Sequence, residues 1–512
     1  MKLYPLQLLF CFQMMQFVSA QSPETMTIRK YTHSNSGDII QEFADLLSIP
    51  NNAKDSINIR KNAAFVMEMM RKRGIQHVQL LEAASPGTPP SVYGEIIVPG
   101  AKETLTFYAH YDGQPVNPVQ WSSQLKPYDP KIFSTTIENN GHYIPLSEVG
   151  NTYNLEWRMY ARSASDDKAG VDALMNAYDA IIKSGWKPGS NLKFFIEGEE
   201  EAASPHLHEI LEKYASLLKS DLWIICDGSV HQAGNKQIIF GVRGDAHLDI
   251  TVYTSKRPLH SGHYGNWAPS PAMLLVKLLA SMKDENGRVL VSGFYNDVIP
   301  LGPEEKKALE EVPPVDDQLK NELGIHSTEM KGMTLGEAIN QPSLNINGIQ
   351  SGNVGAMASN QIPATATAVI DLRLVLGNDW RRQQQKVISH IKAQGFFVIN
   401  REPTDEERNQ YSKIIKVIEV DGGYNAQRTS MNLPIIKKVI EAVKKTTPEQ
   451  VVLQPTMGAS LPLFLFEKYL HTQTITVPIV NHDNNEHAEN ENIRLQNLFD
   501  GIESMAVLMM IK

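Results

Sequence analysis

Five short segments carry most of the side chains able to do chemistry. The first is 106–113, TFYAHYDG. His110 and Asp112 are two apart, so in a continuing strand they share one side. A neutral imidazole can ligate a metal through one ring nitrogen. A carboxylate two residues on can accept the other N–H and fix the tautomer. A turn with an ordinary surface histidine would read the same way. The second segment is 165–168, SDDK. Asp166 and Asp167 could be a helix cap and a first-turn acid. A carboxylate also has two oxygens and can bridge cations about 3.5–4 Å apart. The third is 195–201, FIEGEEE. Three consecutive glutamates after an apolar run are costly unless solvated or neutralised by a cation. One could ligate a metal while its neighbour takes a proton from water. The fourth is 224–228, IICDG, where Asp227 ends a fully apolar run. The fifth is 485–491, NEHAENE, with His487 as ligand candidate and His482 as an equal rival. Such mixed nitrogen and oxygen donors suit Zn²⁺, with Mn²⁺ or Co²⁺ as alternatives. Two divalent ions need several anionic ligands, and these segments supply them.

Side chains this far apart in sequence need a scaffold. Residues 104–109, 192–196 and 222–226 are β-prone apolar runs of the kind buried in parallel sheets. Helical spacing marks 56–73 and 168–183, and Gly185 stops the latter. Strands alternating with helices predict an α/β sheet covered on both faces, with ligands beyond the strand ends. From about 245 the texture changes. Leu248, Ile250 and Val252 alternate with polar residues, as do residues 364–374, and helices are predicted at 270–282 and 380–392. That pattern predicts an α+β two-layer sandwich, with 302–336 peripheral to it. The α/β texture returns after about 411 and ends in a helix over 493–510. The expected layout is a signal segment 1–20, a catalytic domain in two pieces (21–244 and 411–512), and an inserted domain 245–410.

Composition narrows the function. Among 512 residues there are 48 Lys plus Arg against 57 Asp plus Glu, a net charge of -9, and no long basic run. A nucleic-acid partner is therefore not expected. Two cysteines exclude a disulfide scaffold and Cys-rich zinc modules. Residues 1–20 carry Lys2, then a mostly apolar stretch, then Val18-Ser19-Ala20. This predicts an export signal cut after Ala20, and so a periplasmic or secreted protein. Cys11 would leave with it, so Cys226 would remain alone. The mature chain is expected to have no membrane span, because no later segment approaches 18 consecutive apolar residues.

The ordered set HYDGQP, SASDDKAG, EGEEEAAS, ICDG, LHSGHYGN, IPATATAVIDLRLV, MGASLP and HAENE resembles the M20 metallopeptidases, most of all the carnosinase and cytosolic non-specific dipeptidase branch. The resemblance runs from His110 to Glu491. It implies a zinc-peptidase-type catalytic domain, a mainly parallel mixed sheet between helices, with an inserted lid that mediates homodimerisation. It implies two divalent ions: His110 and Asp227 on one, Glu201 and His487 on the other, Asp166 bridging both. Glu200 would be the general base on a water between the ions, and Asp112 would orient His110. His260 would reach the partner subunit's site and polarise the scissile carbonyl. Arg373 would grip the substrate carboxylate, with Ser460 of the 458–462 loop donating a hydrogen bond and Asn345 nearby.

The implied activity is hydrolysis of dipeptides or short peptides, because Asp rather than Glu at 227 goes with dipeptidases in this family. The alternatives are a metal-dependent carboxypeptidase or N-acyl-amino-acid amidohydrolase, and, from another class, a non-catalytic metal-stabilised peptide-binding protein. The chain departs from the family where Gly is usual. Tyr160-Ala161-Arg162-Ser163 stands for Tyr-Gly-Arg-Gly, and Ala169, Ala459 and Ala202-Ala203 replace Gly-containing turns. Glycine is used where φ is positive or backbones approach closely.

Overall fold

The computed structural model describes residues 22–150 and 153–512. The predicted export signal, with Cys11, lies outside the described residues. An eight-stranded sheet forms the larger layer, and its centre holds Asn191–Glu197, Thr104–His110, Leu222–Ile225 and Gln473–Thr476 side by side in parallel. Antiparallel strands Gln76–Leu81 and Ser91–Ile96 extend one edge. The central strands are buried almost throughout, which explains their continuous apolar runs.

Helix Lys168–Lys183 crosses one face of this sheet. Asp167 caps it by accepting from the Gly170 amide. Val171, Leu174 and Ile181 are fully buried, each stabilising by about 1.5–3 kcal/mol. The helix is buried on nearly every side because the closing helix Leu495–Met509 packs over it. Helix Leu207–Lys213 and helix Phe464–Leu470 cover the opposite face around Trp223.

The second sheet contains Ser343–Gln350, Thr365–Leu374, Gly241–Tyr253, Ile414–Tyr424 and Phe397–Ile399 in that order. Helices Pro271–Ala280 and Trp380–Ala393 lie on one side, burying Leu275, Leu278, Val387 and Ile391 against Ile250, Ile370 and Leu372. Strand Gly241–Tyr253 joins the two layers. Its start pairs with Met457–Ser460 and Gln427–Arg428, and its remainder with the second sheet.

Two expectations from sequence change. Strand Ile414–Tyr424 pairs with Gly241–Tyr253, so the chain stays in the second sheet past the expected boundary at 411. Its Ile414, Ile415 and Val417 form a short apolar run, and such a run does not say which of two sheets it joins. The described chain opens with helix Pro23–Ser34, capped by Ser22 and burying Ile28. Asn492–Arg494 is a strand paired with Arg158–Tyr160, so the last helix starts at Leu495 and not at 493. Among the described residues, no helix is long and apolar enough to cross a membrane.

Candidate metal centre

The carboxyl ends of the central parallel strands bring the acids and histidines together. His110 is the last residue of its strand and is fully buried. Its Nε2 lies 2.8 Å from Asp166 Oδ1. The same nitrogen is 3.8 Å from Glu200 Oε2 and 3.8 Å from Asp227 Oδ2. The other oxygen of Asp166, Oδ2, lies 2.9 Å from His487 Nε2, which is also 3.2 Å from Glu201 Oε2. One carboxylate thus faces two imidazoles from distant parts of the chain, one through each oxygen. His482 is exposed and its charge acts on His231; it makes no contact with the cluster.

Among the described residues three sets of ligand atoms lie within 4.8 Å of one another: His110, Asp167 and Asp227; Asp166, Glu201 and His487; and, on the second sheet, Asp245, His247 and Asp371. Asp167 is the least free of these. Its Oδ2 accepts from the His110 amide at 3.2 Å and its Oδ1 from the Gly170 amide at 3.1 Å. The two adjacent aspartates therefore divide the work: Asp167 caps the helix while Asp166 faces both histidines.

The electrostatics fit cations. Burial opposes ionisation of Asp166, yet hydrogen bonds from His110 and His487 together hold its carboxyl below the usual range. Burial, then the Asp166 charge, pushes Asp227 up to about 7. Burial lifts Glu200 well above its ordinary value, with Asp227, Asp166 and Glu201 adding to the rise. Hydrogen bonds to Asp166 and Glu201 push His487 up to about 11. Without a cation Glu200 and His487 hold protons while Asp166 stays ionised between its two imidazoles, because crowded anions cannot all ionise in a buried site. The donor set, two imidazoles among carboxylates at shared-ligand distances, fits a pair of divalent ions.

The supporting contacts are mostly ones that sequence did not reveal. Asp112 lies 3.4 Å from His110 Nδ1. Its two oxygens also accept from the amides of Glu200 and Glu201, each at 3.0 Å, so it sets the glutamate turn as well as the imidazole. Gln114 donates to Glu201 Oε2 at 2.7 Å. Glu491 is wholly buried and accepts from Arg162 Nη1 at 2.6 Å, from the amides of Ser163, Ser165 and Asp166, and from the Ser165 hydroxyl. Glu489 on the same loop is exposed, and burial is what separates the two glutamates. Two of the departures from glycine fall at positive φ, Ser163 at 61° and Ala203 at 69°. Ser163 is held there by a hydrogen bond from Asn51 at 2.9 Å.

Arg373, Ser460 and Asn345 form a second group. Arg373 Nη1 donates to Ser460 Oγ at 3.0 Å. Arg373 Nε is 3.0 Å from Asp371, which also accepts from Asn345 at 3.0 Å. Tyr424 belongs to the same surroundings: burial, then Asp245, raises its phenol. His260 stands apart. It is exposed on strand Leu259–His260, accepts from the Gly262 amide, and stacks near His263. It makes no contact with the cluster within one chain.

A mixed sheet carrying paired metal-ligand sets at its strand ends, with a second α+β layer beside it, defines a metallohydrolase class. Comparison with known proteins gives the family. Residues 106–511 match Peptidase family M20/M25/M40, and the chain belongs to it. It is similar to the beta-Ala-His dipeptidase of Homo sapiens, 26% identical over 84% of this chain and 78% of that protein. It is likewise 26% identical to the Cys-Gly metallodipeptidase dug1 of Schizosaccharomyces pombe, over 85% of each. Among solved structures, an M20 family metallo-carboxypeptidase from Sulfolobus solfataricus superposes with a TM-score of 0.72 at 27% identity, covering 92% of this chain and 98% of that one. Human carnosine dipeptidase 1 superposes at 0.70 with 21% identity, covering 96% and 99%.

Proposed function

We propose that this chain is an exported dipeptidase that hydrolyses the peptide bond of dipeptides or short peptides with two divalent ions, Zn²⁺ first among them. The observation that carries this is Asp166, whose two oxygens face His110 and His487 at 2.8 and 2.9 Å. His110 and Asp227 would hold one ion, Glu201 and His487 the other, and Asp166 both. When bound, the ions would acidify the attacking water and polarise the scissile carbonyl.

The rest falls to side chains. Glu200, beside the cluster and held at its amide by Asp112, takes the proton from water and delivers it to the leaving amine. Asp227 offers a negative partner to the substrate ammonium. Arg373 receives the free carboxylate in a fork of hydrogen bonds, steadied by Asp371 and joined by Ser460. His260 acts from a second copy of the chain, through a homodimer built on the inserted layer. Export rests on residues 1–20.

Glu200→Gln tests the base. Metal content should be retained while kcat falls by about 10³-fold or more, within the range such groups contribute. Near-normal turnover would remove Glu200 from the role. The likeness to the Sulfolobus metallo-carboxypeptidase favours a second reading, release of a terminal residue from N-blocked substrates. Rates on free and N-acetylated dipeptides separate the two. The dipeptidase reading requires the free amine, and equal rates on both would favour the carboxypeptidase.

A further inference from the structure

Behind Glu200 and Asp227 lies a cavity of ≈ 10 Å³, walled by Ile225, Leu461, Leu463 and Phe466. That is about the space one water occupies. Glu200 and Asp227 are among its lining residues, with Tyr108 and Ser204 as the other polar ones, and each of the two carboxylates lies 3.8 Å from His110 Nε2. We infer that this cavity is the subsite for the side chain of the substrate's first residue, and that it restricts hydrolysis to dipeptides beginning with a small residue such as glycine or alanine.

The inference rests on the dipeptidase reading and follows from covalent geometry. In a dipeptide, the first Cα carries both the ammonium and the scissile carbonyl carbon. With the ammonium at Asp227 and the carbonyl opposite Glu200, the first side chain leaves from an atom between those two groups. The cavity is lined by the same two groups. Its size then decides the outcome: a hydrogen or methyl fits, and a branched or aromatic side chain does not.

The walls resist enlargement. Ile225 and Phe466 are each 1% exposed and Leu463 5%. Phe466 packs on Trp223 at 4.7 Å and edge-on to Tyr108 at 6.3 Å. Leu461 differs. It is half-buried, in the short loop between strand Met457–Ser460 and helix Phe464–Leu470. It can be trimmed without opening the core. Because Ser460 before it meets Arg373, one loop would sense both ends of the substrate.

The test is kcat/KM of the metal-loaded enzyme on Ala-Gly, Val-Gly, Leu-Gly and Phe-Gly. The wild type should favour Ala-Gly over Leu-Gly by at least about tenfold, since misfit of even one methylene in an apolar pocket costs about 10- to 200-fold. Leu461→Ala should narrow that ratio by about tenfold, and Leu461→Phe should widen it. Thermal melts of both variants report their folding. A wild type that cleaves all four peptides equally, or a ratio unmoved by either folded variant, overturns the subsite while leaving the dipeptidase standing. No hydrolysis of any peptide overturns the dipeptidase reading and the subsite with it.

Discussion

Asp166 and His487 show how far one hydrogen-bonded pair sets the chemistry of the site. Hydrogen bonds to Asp166 and then Glu201 hold His487 up to about 11, so its proton remains in place throughout the neutral range. A histidine can ligate only when neutral, so the ion that would bind at His487 must displace that proton. The sign is fixed: raising pH favours the deprotonated ligand, so metal affinity rises with pH up to about 11. Between pH 6 and 8 the affinity should rise about tenfold per pH unit for each proton released. Titration calorimetry at pH 7.5 in two buffers of different ionisation enthalpy measures that number directly. A buffer-independent enthalpy would mean that His487 is not displaced. At this scale the sequence was informative wherever an acid ended an apolar strand, as at Asp227. It paired Asp112 with His110 but did not show it as the acceptor for the amides of Glu200 and Glu201, a role that exists only once two distant strands lie side by side.

Between residues and fold stand the loops that must keep their ligands in register. Glu491 ties two of them. Its carboxylate takes the amides of Ser163, Ser165 and Asp166, and its partner Arg162 donates to the Ala488 carbonyl at 2.9 Å and lies 5.7 Å from the Trp121 ring. The loop bearing His487 is thereby fixed to the loop bearing Asp166. Glu491→Gln places an amide donor among these donors and removes the charge facing Arg162. Breaking one side of such a buried pair costs about 3–5 kcal/mol. The melting temperature should fall, and metal affinity should drop at least about tenfold because the ligand loops separate. Ser165→Ala is the milder case, losing one hydroxyl donor at 2.8 Å, about 1 kcal/mol. Thermal melts with and without metal, together with metal titrations, measure both effects. Variants that melt early yet bind both ions as tightly would limit Glu491 to holding the fold. Elements were legible where one face pattern dominated, as in helix Lys168–Lys183. The strand Ile414–Tyr424 was not, because its sheet is decided by pairing with Gly241–Tyr253, a partner more than 150 positions away by number and absent from any local pattern.

For the molecule as a whole, the question is what completes a site from which His260 stands apart. The second layer carries large apolar side chains in the open: Trp267 is 79% exposed, Ile349 57%, Val354 85% and Met357 73%. Strand Ser343–Gln350 lies at the edge of its sheet, an edge that invites pairing or cover. Such exposure on one layer suits an interface between copies. In the proposed homodimer, each metal centre would use Glu200 of its own chain and His260 of the other. Glu200→Gln and His260→Ala should then each be nearly inactive alone but complement one another when mixed. In a mixed dimer, the chain with His260→Ala keeps its own Glu200 and receives an intact His260 from the Glu200→Gln chain, so one of its two sites works. After full exchange half the dimers are mixed, and activity should approach about a quarter of wild type. A monomer, or a dimer in which His260 serves its own chain, gives no recovery on mixing. The time course of recovery would follow subunit exchange, and light scattering on the separate variants would show whether both remain dimers.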